Sequence, residues 1–294
     1  MKPTSKNIES SRFALLFKKE LVENRHRLLL RSIMLLSILI VVSLFIGVSN
    51  INFYNDTIER SILSATGEVI SYYGDNSAMF GSPKDGAALG CAMFFIFALP
   101  IALSISASLM FENMSSKQNR ISLLMIPCTT FEKYLARFII YILGTIIIFC
   151  VGCLAADYIR YLIFSLSYND YNIVHPIDFS YLWQWIMTSN NIYNTSIYLS
   201  WVMFSTSIYA LGSSVWPRMS FVKTFGTVIG IGFIGWFIII ACTINSDKQP
   251  LIFKLLDNAV NSQIFFSIIF TIISITNFIL AYFRIKESEV IQRM

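Results

Sequence analysis

Six uninterrupted apolar runs, each about 20 residues long, constrain this chain more than any other feature of its sequence. None of the runs contains a charged residue, and a helix that rises ~1.5 Å per residue needs ~20 residues to cross ~30 Å of hydrocarbon. The strands of a membrane barrel would instead alternate in polarity over ~10 residues. The sequence therefore predicts an all-α integral membrane protein with six transmembrane helices, at about 32–50, 87–110, 138–156, 196–216, 224–244 and 263–283.

The composition supports the same interpretation. The chain is 55% hydrophobic and 13% charged, and its mean hydropathy is +0.64, which leaves too little polar surface to be covered by water. A net charge of +5 can indicate nucleic-acid binding, but the basic residues are not concentrated in a soluble domain. We therefore expect membrane lipids as partners, and no nucleic acid.

The basic residues predict the orientation of the spans. If the N-terminus is cytoplasmic, the segments on the inner side hold 17 of the 22 Lys and Arg residues, the outer loops hold 4, and Arg160, just after the third span, is the remaining one. Cytoplasmic loops of membrane proteins are enriched in Lys and Arg. An even number of spans then returns the C-terminal tail, 284–294, to the cytoplasm.

The segment before the first span, 1–31, combines apolar and basic residues. Six Lys and Arg residues lie between Arg12 and Arg31, among apolar residues near helical spacing: Phe13, Leu16, Phe17, Leu21 and Leu28. This pattern predicts a cytoplasmic amphipathic helix at the inner membrane interface, close to anionic head groups. A solvated basic tail is the alternative.

Residues that could carry chemistry are scarce. The two histidines, His26 and His175, belong to no HExxH motif, and no GxxxxGK[ST] loop occurs. We predict that the chain is not an enzyme and has no catalytic, cofactor-binding or metal-binding residues. Asp157 and Arg160 follow the third span at i, i+3 spacing and can form a local ion pair, with a structural role or a role in lining an exit path.

Small residues in the fifth span indicate close helix packing. Gly226 and Gly230 form a GxxxG motif, which lets two helix backbones approach each other. The same residues could serve dimerisation or packing within one subunit.

The inner loop between the second and third spans, Phe111 to Arg137, is the most informative segment. Phe111, Met114, Ile121 and Met125 predict an amphipathic helix that continues the second span until Pro127. Thr129 and Glu132 have the spacing of a capping box that starts the next helix. We expect the loop to contact a protein partner through its polar residues, which are Glu112, Lys117, Asn119 and Arg120. A solvated turn is the alternative.

These features resemble those of ABC-2-type transporter permeases. The resemblance rests on six spans with both termini inside, a basic amphipathic helix before the first span, and the loop sequence SSKQNRISLLMIPCTTFEKYLARF. It implies that the loop docks on a separately encoded ATP-binding subunit and that two permease subunits, identical or different, form the pathway. Permeases of this family also have a folded segment between the fifth and sixth spans, and the corresponding segment here is short.

The resemblance implies a multi-pass permease subunit of an ATP-driven exporter in the bacterial cytoplasmic (inner) membrane. A non-transporting membrane scaffold or sensor that uses the same loop is the main alternative. An intramembrane enzyme is a further one. The substrate stays open, because no local motif specifies it.

Overall fold

The computed structural model describes residues 5–63, 86–115, 118, 121, 125–126, 128–167, 176–177, 189–244 and 259–291. Every regular element in this part of the chain is helical. Eight α-helices have described bounds: α1 (Ser5–Glu23), α2 (Arg25–Leu63), α3 (Gly86–Ser108), α4 (Thr130–Phe138), α5 (Gly144–Ser167), α6 (Ser189–Val215), α7 (Ser220–Ile244) and α8 (Ala259–Ile291). A 3₁₀ turn, Glu112–Ser115, follows α3, and a π-helical segment, Ile139–Leu143, joins α4 to α5.

Five helical segments are long and apolar enough to cross a membrane. They overlap the predicted first, second, third, fifth and sixth spans, and they are Arg25–Ser49, Gly90–Ser108, Thr130–Leu166, Ser220–Phe237 and Gln263–Glu287. Their outer surfaces carry many exposed aliphatic and aromatic side chains, as expected where lipid replaces water. The helical fold class is confirmed, and the chain has the composition of a multi-pass membrane protein.

Helix α6 covers all but the last residue of the predicted fourth span but is not among these five segments. Hydroxyl side chains interrupt its apolar sequence, and several of them donate back to a carbonyl of the preceding turn. These include Ser200, Ser205, Thr206, Ser207, Ser213 and Ser214. Such bonds satisfy the hydroxyls locally, but they do not make the helix as apolar as its neighbours.

Several helix boundaries differ from the predicted ones. Helix α2 continues to Leu63, into the predicted outer loop, and α8 continues beyond Phe283 to Ile291. The N-terminal segment is divided at Asn24, whose side-chain amide donates to the Glu20 carbonyl at 3.0 Å. Asparagine competes with the helix backbone in this way. The short helix predicted near 178–187 lies outside the described residues.

The described residues form two compact units. Unit 1 contains 1–24, 100–145 and 181–294, and unit 2 contains 25–99 and 146–180. In unit 1, α6 packs along α8, where the Ser200 and Ser267 hydroxyls are 2.6 Å apart and the Asn277 amide donates to Ser207 at 3.2 Å. The start of α7 packs against α6, where Gly212 leaves room for the side chain of Thr224.

In unit 2, small residues allow α2 and α5 to approach closely. A Cβ added at Gly152 would lie 3.0 Å from a methyl carbon of Leu39, and Gly47 packs against the ring of Phe164. The Ser43 hydroxyl is fully buried and lies 3.4 Å from the carbonyl oxygen of Ala156. Glycine and serine thus support helix contacts inside this unit, as small residues do in membrane proteins.

Candidate functional site

The predicted partner-coupling residues lie between α3 and α4, and the structure describes one of the four. Glu112 opens the 3₁₀ turn, and its side chain is half-buried. Lys117, Asn119 and Arg120 lie outside the described residues. Their contact with a partner stays a prediction.

The helix predicted to continue the second span through the loop is wrong in its first part. Helix α3 ends at Ser108, and a turn and the 3₁₀ segment follow. Phe111 and Met114 are buried, whereas Ile121 and Met125 are 52% and 78% exposed. These four residues therefore do not share one face. In the turn after α3, the ring of Phe111 stacks on Tyr134 of α4.

The start of α4 is built as its sequence predicts. The Glu132 backbone N–H donates to the Thr129 hydroxyl at 3.3 Å, and the Thr129 backbone N–H donates to the Glu132 carboxylate at 2.8 Å. This reciprocal pair is a capping box, which satisfies two backbone donors that a helix N-terminus leaves free. The direction of α4 is consequently defined from its first residue.

A buried ion pair joins α4 to the N-terminal helix. The Arg137 guanidinium donates to Glu20 Oε1 through Nε at 3.3 Å and through Nη2 at 3.2 Å. The side chains of Arg137 and Glu20 are 4% and 6% exposed. Asn24 adds a third donor, at 3.2 Å from Glu20 Oε2. Both carboxylate oxygens are therefore hydrogen-bonded away from solvent, which a buried charge requires.

One partner of this ion pair lies over an aromatic ring. Phe111 stacks on Tyr134 with ring centroids 6.2 Å apart, and the Arg137 guanidinium carbon lies 5.7 Å from the Phe111 centroid. An aromatic face attracts a cation at this distance. Arg137 Nη1 is buried and has no hydrogen-bond acceptor among the described residues, so the guanidinium is stabilised by Glu20 and by the ring.

The last helix completes the arrangement. The Tyr134 hydroxyl donates to the Phe278 carbonyl at 3.3 Å, and the Tyr134 and Tyr282 rings meet edge to face. We name this set the Glu20–Arg137 cluster, and its members are Glu20, Asn24, Phe111, Tyr134 and Arg137. The cluster holds together α1, the segment after α3, α4 and α8. These parts of unit 1 are distant in sequence.

The cluster also determines which face of α1 is buried against protein and which face is exposed. Leu16 and Glu20 are buried, Phe13 and Phe17 are half-buried, and Leu21 is exposed. Most of the predicted apolar face is thus turned toward protein. Arg12 and Lys18 point to the surface, and their contact with anionic lipid stays a prediction.

A second buried ion pair lies in unit 2. The Arg160 guanidinium donates to Asp157 Oδ1 at 2.6 and 3.0 Å, and the two side chains are 1% and 5% exposed. The other carboxylate oxygen, Oδ2, accepts the backbone N–H of Ile177 at 2.8 Å. The i, i+3 spacing predicts this pair. That spacing does not predict the hydrogen bond between the Asp157 carboxylate and the Ile177 backbone.

Sequence reasoning missed Glu20 and Arg137 because 117 positions separate them. The one local signal is that Glu20 is an acidic residue within a basic segment. No group of three or more His, Cys, Asp or Glu side chains among the described residues could hold a metal ion.

Comparison with known proteins gave no match, whether to protein-family models, to curated proteins or to solved structures.

Proposed function

We propose that this chain is the membrane-spanning permease subunit of an ATP-driven ABC-type exporter in a bacterial inner membrane. In this proposal α6 is the fourth of six spans, and both termini are cytoplasmic. The proposal draws on the loop sequence and on the distribution of Lys and Arg. ATP hydrolysis is assigned to a separately encoded partner, and this chain contributes no catalytic residue, metal ligand or cofactor site.

The observation that carries the proposal is the Glu20–Arg137 cluster. A coupling loop must pass a partner's movement to the membrane helices, and a flexible connection would dissipate that movement. Here the segment on one side of the loop packs through Phe111 against Tyr134 on the other side. The capping box fixes the start of α4, and the ion pair fixes its end to α1. A push on the loop would therefore reach α1, α4 and α8 together.

The exposed side chains around the loop suit a protein partner. Ile121, Met125 and Phe131 are each more than half exposed, and charged residues neighbour Ile121 and Phe131 in the sequence. Apolar side chains of this kind beside charged residues are typical of a docking surface. A non-transporting scaffold or sensor would use the same surface, so the identity of the partner distinguishes the two functions.

The face of α7 that carries Gly226 and Gly230 is assigned as the contact with a second permease subunit. A Cβ added at Gly226 or Gly230 would have no described atom within 4 Å. Packing within the described part of this subunit therefore gives no reason for glycine at either position. Close approach of a neighbouring helix would give one.

Charge reversal in the loop tests the coupling assignment. The Lys117→Glu/Arg120→Glu variant should fold and insert but lose the co-purifying ATPase, or lose stimulated ATP hydrolysis. Arg218→Glu/Lys223→Glu is the matched control, because it reverses two exposed charges in the other predicted inner loop. Equal ATPase capture and hydrolysis in both variants would contradict the proposal. Co-purification of a kinase or a regulator in place of an ATPase would favour the sensor.

Cysteine labelling tests the orientation separately. In a background without native cysteines, Asp75→Cys and Asn172→Cys should react with an impermeant maleimide added to intact cells. Lys117→Cys should react only after the membrane is opened. Labelling of Lys117→Cys from outside would reverse the assigned orientation.

A further inference from the structure

The π-helical segment between α4 and α5 is the feature that the proposed function does not use. Its five residues, Ile139–Leu143, interrupt an otherwise α-helical run at the inner end of the predicted third span. The Gly144 backbone N–H donates to the Ile139 carbonyl, five positions back instead of four. A π-helical turn of this kind accommodates one more residue than an α-helical turn, and such turns often lie at functional sites.

Two hydroxyls converge on one carbonyl of this segment. Ser106 on α3 donates to the Tyr141 carbonyl at 2.6 Å, and the Thr145 hydroxyl donates to the same oxygen, also at 2.6 Å. The two hydroxyl oxygens are 2.7 Å apart. The two hydroxyl protons are therefore shared among three short oxygen–oxygen contacts, so the hydrogen bonds can be arranged in more than one way. Ser106 belongs to α3 and Thr145 to α5, so the π-helical turn is hydrogen-bonded both by a neighbouring helix and by the helix that follows it.

Conversion of the π turn to an α turn would have a defined geometric effect. The extra residue of the π turn would join the α-helical hydrogen-bond pattern. Helix α4 would then shift by one residue relative to the turn that follows. One residue of an α-helix corresponds to ~1.5 Å along the axis and ~100° of rotation. Such a shift would move Tyr134 and Arg137 relative to Ser106, while leaving α4 helical.

We infer that the π-helical segment is a register switch for α4, held in its π state by Ser106 and Thr145. In the α state, α4 turns by one residue and its contacts in the Glu20–Arg137 cluster change. The switch gives the coupling loop a discrete movement to transmit, and in this respect it rests on the proposed function. Its physical basis is that the backbone of this segment can form its hydrogen bonds in either a π-helical or an α-helical pattern. Both patterns satisfy the amide groups, as a membrane interior requires.

Amide hydrogen exchange of the full-length protein in lipid nanodiscs tests the switch without any partner. Ser106→Ala and Thr145→Val should each speed exchange of the amides at 139–145 by about 3-fold, the effect expected for one hydrogen bond in a membrane protein. Ser108→Ala is the matched control, because the Ser108 hydroxyl is buried and, among the described residues, donates only to the Ile105 carbonyl of its own helix. Exchange at 139–145 that equals the control in both variants would overturn the inference.

Deletion of Ile142 provides the second arm, because it removes the surplus residue and leaves the rest of α4 in its present register. The deletion variant should fold, and exchange at the same amides should become insensitive to Ser106→Ala. Failure of this variant to fold would show that the extra residue belongs to the fold and not to a switch. Both measurements use the isolated chain. If no ATPase partner were found, the proposed function would fail, but the exchange results would still test the register switch.

Discussion

Glu20 on the N-terminal helix and Arg137 at the end of α4 form a buried, doubly hydrogen-bonded ion pair. The pair connects positions 117 residues apart. Removing water from two charges is costly, and the ion pair compensates only while both partners are present. Neutralising either residue leaves the other charge buried without its partner.

Glu20→Gln or Arg137→Met should each lower the free energy of unfolding by about 3–5 kcal/mol, the usual effect of breaking a buried pair. The double variant Glu20→Met/Arg137→Met should recover much of that loss, because no buried charge remains. Thermal unfolding in detergent measures both effects. The control is Glu23→Gln, which breaks the exposed Lys19–Glu23 pair and should cost at most about 1 kcal/mol. A double variant no more stable than the singles would argue against charge burial as the cause.

Gly212→Ala should destabilise the contact between α6 and α7. An added Cβ would lie 2.9 Å from Cβ of Thr224 and would also meet its hydroxyl, so one helix must move. Overpacking of this kind typically costs about 1–3 kcal/mol. Gly232→Ala is the control, because a Cβ there meets no described atom within 4 Å, and alanine is the better helix former. Equal melting temperatures for the two variants would exclude close packing at Gly212.

The hydroxyl contacts between α6 and α8 should stabilise α6, the least apolar of the predicted spans. A double-mutant cycle of Ser200→Ala and Ser267→Ala should give a coupling energy of about 0.6 kcal/mol, the average for hydrogen bonds between membrane helices. The free energies come from reversible unfolding in mixed micelles. Ser37→Ala paired with Ser267→Ala should show no coupling, because in the part of the chain that the structure describes Ser37 bonds only within its own helix. A zero coupling in the first cycle would mean that the 2.6 Å contact contributes nothing to the association of α6 with α8.

Asp157→Ala should release the segment at Ile177 as well as Arg160. Its carboxylate accepts the Ile177 backbone N–H at 2.8 Å, so amide exchange at Ile177 should accelerate by more than tenfold, as expected for loss of a buried charge-assisted bond. Asp157→Asn keeps an acceptor oxygen and should retain part of the protection. Loss of protection to the same extent in both variants would assign the effect to the charge of Asp157 and not to its hydrogen bond to Ile177.

The two ion pairs illustrate why one was accessible to sequence reasoning and the other was not. Asp157 and Arg160 are three positions apart, and any helix brings such residues onto the same face. The capping box of Thr129 and Glu132 is local in the same sense. Glu20 and Arg137 have no fixed spacing, and only the packing of α1 against α4 brings them together.

The inner loop shows the same division within one segment. Its apolar spacing predicts a helix from Phe111 to Ile126, yet α3 ends at Ser108 and Phe111 turns inward. Periodicity shows that apolar residues could share a face, but not whether burying Phe111 against Tyr134 stabilises the chain more than continuing the helix would. That comparison involves residues from separate elements.

The sequence by itself predicted a helical chain that crosses a membrane several times, because length and hydropathy are properties of contiguous residues. It predicted six spans, and five of them overlap described helices that are long and apolar enough to cross. The tertiary structure alone decided where α3 stops and which face of α1 is buried. It also decided that Ser200 meets Ser267 and that a π turn lies between α4 and α5. Each of these depends on which helix faces come into contact. That choice is made by packing between distant parts of the chain, and no spacing along the sequence encodes it.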